Sequence, residues 1–206
     1  MTKETPHMVE HWGVKLAIFV GGHELMFAED ESNKENKYLV RDCSYDNPFG
    51  VPEYSNCIGA ADYLEAISEY ANRIQTQTEL VRQERRERGI SDEPLTRNAC
   101  LSDGLGENFE EKLVVIRSDV MMPDRRTADY QYFVADGGNG CRTNAIGRAV
   151  FGQNLYTGKR ARWERQDILG IADPEKLPEW AKGRLKALQE EKQTDTHPRK
   201  KAEAER

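Results

Sequence analysis

The residues with the most distinctive chemistry lie between Asp136 and Asp167. This stretch opens with Gly137-Gly138-Asn139-Gly140, where glycine permits positive φ and can leave backbone amides open to an anion. Ala149-Val150-Phe151 is apolar enough for a strand, Tyr156-Thr157-Gly158-Lys159 reads as a turn, and Lys159 to Arg165 returns as a second strand. Period-two alternation puts Arg160, Arg162 and Glu164 on one face, and Lys159, Ala161, Trp163 and Arg165 on the other. From Cys141 to Gln166 the bases are Arg142, Arg148, Lys159, Arg160, Arg162 and Arg165, against the single acid Glu164. The local charge of +5 sits inside a chain of net charge −6. A basic hairpin carrying Tyr156 and Trp163 suits phosphate contacts from the bases and base stacking from the rings. The plainer reading is a solvated strand whose arginines pair with the acidic remainder.

Other chemistry finds less support. A phosphate loop needs Gly-x-x-x-x-Gly-Lys-Ser/Thr running into a helix. Here six residues separate Gly140 from Gly147, and Arg148 follows. The dinucleotide fingerprint fails too, because Cys141-Arg142-Thr143 follows Gly138-Asn139-Gly140. The loop amides, with Arg142 and Asn144, remain a site for one phosphate or carboxylate. Cys141, beside Arg142, is the one cysteine in an electropositive setting, where a thiol can be activated. None of the histidines (His7, His11, His23 and His197) is near it in sequence, so it reads as a small packed residue under the loop. The carboxylates Asp124, Asp129, Asp136 and Asp167 form no compact metal-binding repeat and read as ion-pair partners. No cofactor, no metal and no catalytic residue are expected.

The elements that position this stretch follow from periodicity. Val14 to Val20 and His23 to Ala28 read as strands joined by the two-residue turn Gly21-Gly22, with a third strand at Tyr38 to Cys43. Asp46 to Pro52 reads as a stiff turn-rich loop. Ala60 to about Arg88 is the clearest helix, with Leu64, Ile67, Ala71, Ile74 and Val81 recurring at helical steps and Gly89 ending it. Further strands are expected at Leu113 to Arg117 and Tyr130 to Ala135, then a short helix after Pro178 lined by Ala181, Leu185 and Leu188, its start anchored by Trp180. The fold class is α+β: a small antiparallel sheet plus a long helix, then a compact antiparallel barrel-like sheet and a short C-terminal helix. The expected boundaries are 12–90 and 109–192, with a linker at 91–108 and a disordered charged tail at 193–206.

Charged residues make up 32% and hydrophobic ones 37%, which limits the core, and no apolar run approaches the ~18 residues of a membrane span. Four scattered cysteines without a C-x-x-C pair, and an N-terminus lacking a signal-peptide pattern, point to a reducing cytoplasm.

Several stretches also resemble a known group: Phe19-Val20-Gly21, Glu24 to Glu29, Asp46 to Gly50, Asp62 to Ala66, Gly137 to Gly140, Asn154 to Lys159, Arg162 to Arg165 and Leu177 to Ala181. They are similar to small accessory proteins carried by bacterial mobile genetic elements and phages. The resemblance spans most of residues 14–190 and implies a context, since such cargo proteins often counter host restriction enzymes or CRISPR nucleases. It implies a non-enzymatic inhibitor of a host DNA-targeting defence nuclease, binding the nuclease, DNA or both. The basic hairpin would take DNA, while an acidic face of Glu29, Asp30, Glu31, Glu35, Asp42 and Asp46, with Glu24 and Glu53, would imitate phosphates in a basic channel. The alternative is a nucleic-acid-binding accessory protein for element replication or transfer.

Overall fold

The computed structural model describes residues 8–9, 11–45, 51–101, 106–143 and 147–203. The chain divides into two compact units, Met1–Glu84 and Arg85–Arg206. The division falls inside the long helix.

In the first unit, β1 (Met8–Val9), β2 (Trp12–Val20), β3 (His23–Glu29), β4 (Tyr38–Ser44) and β5 (Glu53–Ala60) form an antiparallel sheet in sequence order. Val20 pairs with His23 across the Gly21-Gly22 turn. Both glycines have positive φ (62° and 87°), the mirror-image turn that matches strand twist. Gly21 is required for a second reason: a Cβ there would meet Val81 Cγ2 at 2.3 Å. β5 carries no alternation and is exposed along most of its length, which is why periodicity does not reveal it.

Helix α1 (Tyr63–Arg88) begins where Asp62 Oδ1 accepts the Glu65 amide at 2.9 Å. It ends where Gly89 (φ 65°) donates to Arg86 O and Ile90 donates to Arg85 O, the paired bonds of a Schellman cap. Its buried stripe is Ala66 and Tyr70 with Ile67 and Ile74, packed on Leu25, Phe27 and Val40. Leu64 (69% exposed) and the exposed Ala71, both expected in the core, lie outside that stripe. Tyr70 takes the inward position that an aliphatic count overlooks.

The second unit holds β6 (Leu113–Ile116), α2 (Ala128–Gln131), β7 (Tyr132–Gly137), β8 (Ala149–Asn154), β9 (Arg160–Glu164), β10 (Ile168–Ile171) and α3 (Glu179–Glu203). The strands form an antiparallel sheet in the order β10-β6-β7-β8-β9. Tyr130 and Gln131, expected to open a strand, instead close the single-turn α2. β6 is buried on both faces, so it reads as a continuous apolar run rather than an alternating one. Leu113 and Val115 join Tyr132, Val134, Leu155, Leu177 and Ala181 in one core. Val114 and Ile116 join Phe109, Phe133, Ala135, Cys141 and Val150 in the other.

Residues 95–101 of the stretch expected to be a linker pack into this unit: Cys100 is buried and bridges to Ala172 beyond β10, and Leu101 N donates to Ile171 O at 2.9 Å. The Gln131 side chain, fully buried, accepts from Leu95 N (2.6 Å) and donates to Leu95 O (3.1 Å) and Ile116 O (2.8 Å), so a side-chain amide replaces a missing strand partner. At the other end helical backbone continues through Glu203, past the expected end of a short helix near residue 192.

Candidate nucleic-acid interface

The β8–β9 hairpin forms as its alternation predicts. Val150 pairs with Trp163, Phe151 with Arg162, Gly152 with Ala161 and Gln153 with Arg160. The turn between the strands is held by Asn154, whose Oδ1 accepts from the Tyr156 and Thr157 amides at 3.0 and 2.7 Å. The Asn154 Nδ2 donates to Asp129 O (2.9 Å) and Tyr130 O (3.0 Å), tying the turn to α2. Gly152 lets β8 lie close to β7, since a Cβ would fall 2.0 Å from Val134 O.

The two sides of the hairpin have different fates. Trp163, with Val150, packs into the core around Phe109 and Cys141. Phe151, Arg160 and Arg162 face the other way, on the side of Gln153 and its β7 partner Val134. Val134 is covered by the core, but toward β9 the side chains emerge: Phe151 is 43% exposed, and those of Arg160 and Arg162 are 64% and 52% exposed. Arg160 reaches over β8 to Asp136 on β7 in a two-pronged pair at 2.7 and 3.0 Å, which raises the guanidinium pKa further. Arg162 lies 3.7 Å from Glu164. Lys159 and Arg148 are exposed at the two ends of the hairpin, and Arg142, 77% exposed, lies 4.0 Å from Glu110.

Three of the expected binding residues are engaged inside the unit. Arg165 donates from Nη1 to Gly140 O (2.7 Å) and Cys141 O (3.3 Å), and from Nη2 to Glu107 O (2.7 Å). Its guanidinium also lies 4.3 Å from the Phe109 ring centroid, so this arginine clamps the glycine loop to the sheet. Tyr156 packs edge-on against Trp180 at 5.6 Å with Arg88 over its ring. Trp163 is the third.

The glycine loop is likewise a packing device. Gly140 N donates to Ala149 O (2.7 Å) and Cys141 N to Gly138 O (3.1 Å), so neither amide is open to a phosphate. A Cβ at Gly140 would meet Arg148 O at 2.3 Å, and one at Gly138 would meet Ala149 O at the same distance. Asn144 lies outside the described residues. Cys141 is buried, its thiol donating to Gly137 O at 2.9 Å, and burial pushes its pKa up, opposite to what a nucleophile needs. Among the described residues no group of three or more His, Cys, Asp or Glu is placed to hold a metal, and no helix is long and apolar enough to cross a membrane.

The acidic candidates divide in a similar way. Glu29 lies 3.3 Å from both Lys15 and Lys37, and the Lys37 hydrogen bond is the main cause of its lowered pKa. Asp30 accepts from the Ser32 hydroxyl and amide, which lower its pKa. Asp42 is held by Arg73 Nη1 (3.0 Å) and Asn56 Nδ2 (2.7 Å). Glu24 is buried and accepts from the Tyr45 hydroxyl at 2.8 Å. Glu31 and Glu35 are exposed in the β3–β4 loop, Glu53 is exposed at the start of β5, and Asp46 lies outside the described residues.

Phe151 is the residue that sequence reasoning placed in a strand without giving it a role. The turn expected at Tyr156 to Lys159 does not give this register; the observed connection between Asn154 and Arg160 sets Phe151 opposite Arg162. Comparisons with protein-family models, curated proteins and solved structures find no match to this chain.

Proposed function

We propose that this protein is a non-enzymatic accessory protein that works by binding nucleic acid through the open half of the β8–β9 face. The observation that carries this reading is the placement of Arg160 and Arg162, side by side with Phe151, on the exposed β8–β9 end of the sheet, with Lys159 and Arg148 at the hairpin ends. Exposed arginines attract phosphates by charge and release condensed counterions. The Glu164 partner does not prevent this, because an exposed ion pair contributes at most about 1 kcal/mol, and the two-pronged Asp136 pair uses two of the five guanidinium N–H donors of Arg160, leaving the others for a phosphate. In the mobile-element setting that the sequence resemblance implies, two uses follow. The protein holds DNA against a host restriction or CRISPR nuclease, or it serves replication or transfer of the element. Phosphate mimicry by the first unit draws less support, since Glu24, Glu29, Asp30 and Asp42 already have partners within that unit.

Fluorescence anisotropy with labelled DNA and RNA across a salt series tests the reading. The full chain is expected to bind with a logarithmic salt slope of roughly −2 to −4, as three or four phosphate contacts require. Arg160→Glu/Arg162→Glu is expected to weaken binding at least about tenfold and to flatten that slope by about 2. Absence of binding at low salt removes nucleic acid as the ligand.

A further inference from the structure

The open face of β8–β9 is more than a charged surface, because it presents one aromatic ring with space beside it. Phe151 is paired on one side with Arg162 and on the other with Gly137. Gly137 has no side chain, and a Cβ built there meets nothing within 4 Å. Next to it, a Cβ at Gly138 would come within 3.0 Å of Phe151 Cδ2, so the loop backbone approaches one edge of the ring. The Asp136–Arg160 pair crosses β8 on this same side, bringing a carboxylate and a guanidinium to the ring's surroundings.

We infer that this shelf takes an unpaired base, stacked on Phe151, and that the ligand of the face is therefore single-stranded nucleic acid. The inference rests on the nucleic-acid reading above and narrows it. A ring and a base gain stacking energy with little dependence on sequence, while flanking arginines hold the backbone phosphates. In a duplex the base faces are already stacked, and a base reaches the ring only by leaving its stack. The Asp136 carboxylate accepts hydrogen bonds and the Arg160 guanidinium donates them, so together they can meet the polar edge of the stacked base. Trp163 and Tyr156 leave the role to Phe151, because one packs into the core and the other against Trp180.

The test compares the full chain with Phe151→Ala and Phe151→Tyr, each against a labelled single strand and the matching duplex at one salt concentration. Single-strand affinity is expected to exceed duplex affinity about tenfold or more, to fall by a similar factor in Phe151→Ala, and to persist in Phe151→Tyr. Equal binding of both forms, unchanged in Phe151→Ala, overturns the stacking inference and leaves the nucleic-acid reading standing. Failure of the native chain to bind either form overturns both. A measurement on the native chain guards against loss of folding in the alanine variant. Photocrosslinking of a single strand carrying 5-iodouracil is expected to label a peptide containing Phe151. Labelling confined to other segments contradicts the shelf.

Discussion

Asp42, on the first sheet, is gripped by Arg73 and Asn56, and Glu29 sits between two lysines. Arg162, on the second sheet, lies 3.7 Å from Glu164 with half of its side chain exposed. Both regions carry the charge sign expected to meet a partner, but the first engages Glu24, Glu29, Asp30 and Asp42 internally and leaves Glu31, Glu35 and Glu53 exposed on loop and edge, while the second sets Arg160 and Arg162 side by side along one strand. The same contrast exists within a single strand end. Arg162 and Arg165 are three residues apart, but the first faces outward and the second binds three backbone carbonyls. Local charge density does not distinguish a contact surface from an internal clamp; strand parity and the groups within reach do.

That contrast can be broken by substitution. The largest effect is expected from Gly152→Val, which drives a side chain onto Val134 O and should destabilise the second unit by roughly 3 kcal/mol in urea denaturation. Arg165→Ala frees carbonyls of Gly140, Cys141 and Glu107 together and should cost about 2–3 kcal/mol. Arg162→Ala should stay within about 0.5 kcal/mol of the native protein. Equal costs for these two arginines would erase the distinction between clamp and contact.

Asp42→Ala in the first unit should cost about 1 kcal/mol, because the Asn56 amide loses this acceptor while Arg73 keeps Glu69 and the Asn56 carbonyl. A neutral outcome would return Asp42 to the set of carboxylates available to a partner. The smallest effect concerns acid. Glu29 has a depressed folded-state pKa, so its contribution is complete above the ordinary glutamate value and is lost as pH falls through the folded one. Lys37→Met should therefore shrink the drop in Tm between about pH 5 and about pH 3. An unchanged drop would mean that the lysine does not hold this carboxylate.

Much of the architecture was legible because it rests on local signals. Gly21-Gly22 marks the first hairpin, Gly89 marks the end of α1, and alternation orders the faces of β9. What escaped depends on contacts distant in sequence. Nothing local shows that Gln131 will replace a strand partner for Leu95, or that Arg165 will meet Glu107, 58 residues away. β5 escaped because an exposed edge strand has no buried face to impose a pattern. Glycines 138 and 140 were legible as unusual, but their spacing could not tell close packing from an anion cradle; the carbonyls of Ala149 and Arg148 decide it.

Hydrogen–deuterium exchange of the full chain, with and without a saturating single-stranded oligonucleotide, tests the central claim most directly. Added protection is expected to concentrate between Arg148 and Glu164, with the β3–β4 region unchanged. Protection confined to residues 24–44, with β8 and β9 exchanging as before, would contradict it.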